Sequence, residues 1–291
     1  MSKIGKILWF LMAFWALVCL TVVAVAVTSS LGTAEFSEES PLGLVKIEGE
    51  LYDAGPIVEQ LRSLKDEKGV QGIVLRVESP GGAVAAAQEI FEVLAAFRND
   101  SFPVVASFGN VAASGGYYAA LPAERIFANP GTLTGSIGVI TQFMHGEKLM
   151  EKIGVEALTV TSGSLKDAGN PFRAPSEGDV RYFQEVVDDT YAQFLGAVAQ
   201  WRKIPEDTLK PIADGRVFTG RMALQAGLVD TLGSMRNAIV WLATRCGLEE
   251  PPEKLRESLP PQPFLQQMLQ GVEGAIPAGL RTHARVLWMM R

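Results

Sequence analysis

Cysteine and histidine are both scarce in this sequence, with two of each among 291 residues: Cys19 and Cys246, His145 and His283. Two cysteines so far apart, one of them inside an apolar run, exclude a disulfide framework, and no Cys/His cluster has the spacing of metal ligands. An excess of positive charge is missing too. The 32 acidic and 26 basic side chains give a net charge of −6, which removes the electrostatic basis for coating a nucleic acid. Charged residues make up only 20% of the chain and apolar ones 48%, the balance of a folded core rather than of a disordered chain. The length allows one or two domains, and setting aside the apolar or irregular ends favours one. No internal repeat of roughly 20–50 residues is present.

One long hydrophobic run stands out. Ile7 to Val27 is 21 residues without a charge, and at about 1.5 Å per helical residue it suffices to cross a bilayer core of roughly 30 Å. Lys3 and Lys6 precede the run, and Glu35, Glu38 and Glu39 follow it. Residues 1–6 are therefore expected in the cytoplasm, 7–27 as a transmembrane anchor in the inner (cytoplasmic) membrane, and the rest on the extracytoplasmic side. The alternative is a cleaved secretory signal ending at Ala24-Val25-Ala26, but the run exceeds the roughly 7–15 residues of a signal's apolar region. A lipoprotein site at Cys19 fits less well, because Val18 stands where a small residue is expected.

Residues 28–41 are small, polar and acidic without a helical or strand period, and read as a linker ending at Pro41. Gly43 to Ile47, Gly72 to Val77 and Pro103 to Ser107 are short β-branched runs that read as buried strands. Between them, Ile57 to Lys65 and Ala83 to Phe97 carry helical patterns, and the alternation predicts an α/β fold with a largely parallel, helix-covered sheet. A longer helix is predicted over 177–202, where Phe183, Val187, Tyr191, Phe194, Leu195, Val198 and Trp201 recur at steps of three or four. Another follows Ser234. The folded domain is expected to cover 42–250, and the proline-containing residues 251–291 to form a tail.

Three loops rich in serine and glycine follow strand-like runs: Glu78 to Gly82, Ala112 to Tyr118, and Leu133 to Gly138. In an α/β sheet such loops gather at the carboxyl edge of the strands, where ligands bind. Ser114 lies between two alanines and two glycines, ahead of an apolar helical stretch, a placement that serves either an N-cap or an accessible nucleophile. Gly82 suits an ordinary turn, and equally a backbone N–H aimed at a developing oxyanion. A serine nucleophile needs a base, and a Ser-His-Asp arrangement would have to use His145, whose neighbours do not recommend it. A lysine serves if its surroundings lower its pKa from about 10.4 toward 7. Lys166, in the loop Thr161 to Pro171, is the candidate; the competing reading is a surface lysine paired with Asp167.

In their order and spacing these motifs resemble the signal peptide peptidase A (SppA) family, peptidase family S49, in its short single-domain form. The resemblance covers about 42–250. It rests on Ser79-Pro80-Gly81-Gly82, Ala113 to Tyr118, Thr134 to Val139, Lys166-Asp167, Asn170-Pro171-Phe172-Arg173, Asp214 to Gly220 and Gly227 to Asp230. It implies a ClpP/crotonase-like fold of repeated ββα units behind an N-terminal transmembrane helix. It also implies a membrane-anchored serine endopeptidase with a Ser/Lys dyad: Ser114 as nucleophile, Lys166 as general base, the Gly82 and Gly115 amides as oxyanion hole, and Ser136 orienting the lysine. No metal or other cofactor is required. The implied substrates are signal-peptide remnants and other unfolded, apolar peptides, and the implied assembly is a homo-oligomeric ring in which serine and lysine can come from neighbouring subunits. An acyl-CoA hydratase or thioesterase of the same fold would need a cytoplasmic site and usually a carboxylate base. A silent membrane scaffold would be expected to lose Ser114 or Lys166. A related peptidase family that processes membrane-scaffold proteins fits the Ser79 and Lys166 motifs less well.

Overall fold

The computed structural model describes residues 40–258. The expected anchor at 7–27, most of the linker, and 259–291 of the tail lie outside the described residues. Among the described residues no helix is long and apolar enough to cross a membrane.

The chain first alternates strand and helix, as the apolar runs predict: β1 Leu42–Leu51, α1 Gly55–Asp66, β2 Gly72–Gly82, α2 Val84–Asn99, β3 Val104–Ala113 and α3 Gly115–Ala120. Short strands β4 Arg125–Ala128 and β5 Leu133–Gly135 follow, then α4 Glu147–Ile153 and the long α5 Glu177–Arg202. The last part contains α6 Glu206–Leu209, β6 Val217–Thr219, α7 Gly220–Gln225, β7 Thr231–Leu232, α8 Met235–Arg245 and β8 Arg256–Glu257. β8 lies within the stretch expected as tail and pairs with Gly43 and Leu44 of β1.

These eight strands form one mixed sheet in the order β6-β5-β3-β2-β1-β8, with β4 branching from β3 and β7 pairing with β4. Every pairing is parallel except β5 with β6. Successive strand residues point to opposite faces. Val45, Ile73, Leu75 and Ala106 join the core under α1, α2, α3 and α5. Leu44, Val74, Val105 and Phe127 instead meet Ala238, Ile239 and Leu242 of α8. Burial on both faces is why these strands read as unbroken apolar runs.

The sheet forks in β3. Val105 to Phe108 pair with β4, whereas Val111 to Ala113 pair with β5. The registers of β1 with β2 and of β2 with β3 shift at the same level, between Glu48 and Glu50 and between Val77 and Ser79. Glu78 sustains the bend, its carboxylate accepting the N–H groups of Asn110 at 2.8 Å and Val111 at 3.1 Å. A side chain at Gly109 would occupy the space of that carboxylate. Each long strand thus serves as two strand segments joined at a bulge.

The helix predicted over 177–202 is α5 over those residues, opened by a capping box between Ser176 and Asp179 and closed by Lys203 in the left-handed conformation. Phe194, Leu195 and Val198 are its buried apolar residues, each contributing about 1.5–3 kcal/mol of burial. Trp201 meets Phe91 edge-on at 5.7 Å and Phe194 meets Tyr118 at 5.2 Å. The periodicity predicts one continuous packed face, yet Phe183 and Val187 are only half-buried, and Phe183 packs against Phe143 of the 136–146 segment. The amino-terminal half of α5 extends past the sheet core.

Candidate active site

The three serine- and glycine-rich loops meet at the carboxyl edge of the strands. Ladder partners bring them together: Leu51 with Gly82, Ser79 with Ala112, and Ala113 with Gly135. Ser79 is fully buried and anchors the group, its hydroxyl donating to the Gly49 carbonyl at 2.6 Å and accepting the Gly81 N–H at 3.2 Å. Thr134 donates to the Ala112 carbonyl at 2.6 Å. The bends are therefore held by side chains of the motifs themselves.

Ser114 occupies the step from β3 into α3 with φ 50 and ψ −123, and its side chain makes no capping hydrogen bond. The N-cap reading is overturned: a capping serine has extended backbone and spends its hydroxyl on a helix amide. Here the backbone is strained, the residue is partly exposed and the hydroxyl makes no hydrogen bond to another described residue. A serine in a strained strand-to-helix turn presents its oxygen above the sheet edge. Its main chain is fixed on both sides, with its N–H donating to Gly135 and its carbonyl accepting from Tyr118, both at 2.9 Å.

The Gly82 and Gly115 backbones lie side by side. A Cβ built on Gly115 would lie 3.4 Å from the Gly82 nitrogen, and one on Gly81 would come within 2.8 Å of the Ser114 Cβ and 2.7 Å of the Gly115 nitrogen. Gly82, at φ 156, has no room for a side chain because the Leu51 backbone fills that space. Gly115 opens α3, so its N–H has no acceptor within the helix. The close approach of Gly81 to Ser114 is a feature that the sequence reading missed; two adjacent glycines after a strand were its only signal. Tyr117 locks α3 from below, fully buried with its hydroxyl donating to the Leu228 carbonyl at 2.8 Å, and burial pushes that hydroxyl's pKa up.

Ser136 follows Gly135, has φ 51, and donates its N–H to the Arg216 carbonyl at 2.9 Å. Ser114, Gly82, Gly115 and Ser136 are thereby gathered on neighbouring strand ends. Lys166 sits elsewhere in the bonding pattern. It lies in an exposed turn, its N–H donating to the Gly163 carbonyl at 3.1 Å, and no hydrogen bond or ion pair joins its amine to Ser114, Ser136 or another described residue. The pairing with Asp167 considered from sequence is absent, because Asp167 is taken by Arg173 at 2.8 Å. His145 is exposed and makes no such bond to a described residue; among the described residues no acidic, histidine or cysteine cluster could hold a metal ion.

A strained serine between strand and helix, beside two glycine amides, has the composition of a serine-type hydrolase site. Residues 96–249, just over half the chain, match peptidase family S49, and residues 45–134 match the Clp protease family. A Synechocystis sp. protein is 40% identical over 213 residues, 72% of this chain and 76% of that one. Protease 4 of Salmonella typhi is 39% identical over 191 residues, 66% of this chain and 31% of its own length. The chloroplastic serine protease SPPA of Arabidopsis thaliana is 34% identical over 198 residues, 68% of this chain and 29% of its own. The chain thus spans about three quarters of the first relative and about a third of the other two. It belongs to peptidase family S49 and is a serine peptidase of the SppA kind.

Proposed function

We propose that the protein is a membrane-anchored serine endopeptidase using a Ser114/Lys166 dyad to degrade cleaved signal peptides and other unfolded, apolar peptides in or next to the membrane. The observation that carries this reading is the Ser114 turn, with a hydroxyl that makes no hydrogen bond to another described residue and the Gly82 and Gly115 backbones beside it. The neutral Lys166 amine takes the Ser114 proton as the oxygen attacks the scissile carbonyl. The Gly82 and Gly115 N–H groups hold the resulting oxyanion. The lysine then protonates the leaving amine, and afterwards takes a proton from the water that hydrolyses the acyl-enzyme. The Ser136 hydroxyl orients the lysine amine.

In a homo-oligomeric ring the lysine can reach the serine across a subunit boundary. Support comes from the exposed segment that carries it: Ile140, Met144, Leu158 and Val160 are each more than four-fifths exposed within one subunit, an apolar ribbon of the kind that subunit contacts cover. Residues 7–27 anchor the ring, with the catalytic domain on the extracytoplasmic side.

The test uses the full chain and its Ser114→Ala and Lys166→Ala variants on an unfolded apolar polypeptide, with oligomer size recorded. Both variants are expected to be inactive alone and to regain cleavage when assembled together. Full activity in Lys166→Ala would remove the lysine from the mechanism and leave His145 to be tried. An unaltered assembly that cleaves nothing would favour a scaffold.

A further inference from the structure

A lysine that acts as a base must lose its proton near neutral pH, and an unpaired carboxylate next to it opposes that by favouring the ammonium form. Asp167 follows Lys166 directly, so the chain places such a carboxylate where it would do most harm. The structure shows it engaged. Arg173 Nε donates to one Asp167 carboxylate oxygen at 2.8 Å and Nη2 to the other at 3.0 Å, a two-point clasp that Nη2 extends to the Asp167 carbonyl at 3.2 Å. The third nitrogen, Nη1, bonds Asp179 and the Ala174 carbonyl. Asp179 is 2% exposed and belongs to the capping box of α5, where it also accepts the Ser176 N–H at 2.9 Å. The lysine turn is therefore tied through one guanidinium to the start of the long helix.

We infer that Arg173 is a positioning residue for catalysis: it clasps the Asp167 carboxylate against the start of α5, leaving the adjacent Lys166 amine without an anionic partner among the described residues. This rests on the reading of Lys166 as the base. Arg173 also holds the Asp167 carboxyl below the usual carboxylate range, so the clasp persists across the working pH. The other elements packed on this turn carry few competing charges. The 143–146 segment, joined by the Gly146 N–H to the Pro171 carbonyl and by the Phe143 ring beside Gly169, brings His145 and the following Glu147. The start of α5 brings Asp179, taken by Arg173, together with Glu177 and Arg181, which pair with each other at 3.8 Å. The 155–160 segment, bonded through Asn170 Nδ2 donating to Thr159 Oγ1 at 3.2 Å, adds Glu156, and Asp167 is distinguished from these acids by adjoining Lys166 in the chain.

The experiment follows kcat/KM of the full-length assembled enzyme on a fluorogenic unfolded peptide between about pH 6 and 10, where a lysine base gives an acid limb. In Arg173→Gln the released Asp167 carboxylate moves that limb up by about one pH unit or more, a loss of about tenfold at pH 7 that alkaline pH restores. The double variant Asp167→Asn/Arg173→Gln returns the limb toward its original position, even where the maximal rate stays low. A loss in Arg173→Gln that is equal at every pH, or a limb that the double variant does not move back, overturns the inference. Should Arg173→Gln fail to fold, Asp167→Asn alone decides: its limb stays at or below that of the unaltered enzyme, and an upward shift overturns the proposal. Lys166→Ala, measured alongside, separates the two ideas. Retained activity there sinks the dyad itself, whereas lost activity with a pH-independent defect in Arg173→Gln sinks only the role of the arginine.

Discussion

The Ser114 N–H donates to the Gly135 carbonyl at 2.9 Å, so the end of β3 is hooked to the end of β5 at the residue proposed as the nucleophile. Ser136, next to Gly135, has φ 51 as Ser114 has φ 50. Two non-glycine residues in disfavoured conformations sit side by side, each costing about 1–3 kcal/mol. The hydrogen bonds of Gly135, Tyr118 and Arg216 hold them there.

That strain is measurable at Ser114. Both Ser114→Gly and Ser114→Ala lose the hydroxyl and are expected to lose hydrolysis by roughly 10⁴–10⁶-fold. Glycine relieves the backbone strain that alanine keeps, and this outweighs the flexibility it adds to the unfolded chain. Ser114→Gly should therefore be the more stable of the two by roughly 1 kcal/mol in urea denaturation. A less stable glycine variant would show that the turn is not strained.

Gly82→Ala places a methyl group against the Leu51 backbone, and backbone cannot move aside as a flexible side chain can. The Gly82 amide has to shift. If the Gly82 N–H serves as the proposed oxyanion donor, worth about 10²–10³ in kcat, the variant should lose at least that factor, together with a lower melting temperature. Comparison of kcat with KM distinguishes this from weakened substrate binding, which would raise KM alone.

Tyr117→Phe leaves the Leu228 carbonyl without its buried donor. Removing one partner of a buried hydrogen bond costs about 1–3 kcal/mol, so the unfolding free energy should fall by that amount and the urea midpoint with it, with cleavage retained at lower temperature. An unchanged midpoint would mean that water or another donor replaces the hydroxyl.

Acid stability should report on Asp179. The Arg173 guanidinium, and after it the Ser176 N–H, lower its carboxyl from the ordinary 3.8 to about 2. The folded state then binds that proton more weakly than the unfolded chain does. The stabilisation is complete above about pH 5 and is lost as pH falls through about 4 toward 2. Asp179→Asn should flatten the stability curve in that window, as followed by urea denaturation across pH 2–6. A curve as steep as that of the unaltered protein would assign the acid sensitivity to other carboxylates.

Much of this architecture is legible in the residues. The strands are readable because a parallel sheet covered on both faces leaves no polar alternation, so Ile73 to Leu75 and Val104 to Ala106 appear as plain apolar runs. The helix over 177–202 is readable from its spacing, and the structure caps its amino-terminal end with Ser176 and Asp179. What spacing could not show is that Phe183 and Val187 lie beyond the core, since periodicity records which face is apolar and not what covers it. The loops of Ser79, Ser114 and Thr134 could be marked as candidates because glycine and serine concentrate where strands end.

The first strand–helix alternation, the α/β class, the long helix and the loops of Gly82, Ser114 and Lys166 as candidates were determined by the sequence alone, because periodicity and turn composition are local properties. The tertiary structure decided the rest. Ser114 could equally have capped a helix, and only the hook to Gly135 and the packing of α3 hold it in the strained turn. Asp167 could have paired with its neighbour Lys166, and only the placement of Arg173 beside Asp179 turns it away. Glu78 could have been one more surface acid, and only the fork of β3 gives it two amides to bind. In each case several partners were available at similar cost along the chain, and the choice between them depended on register and packing among segments far apart in sequence.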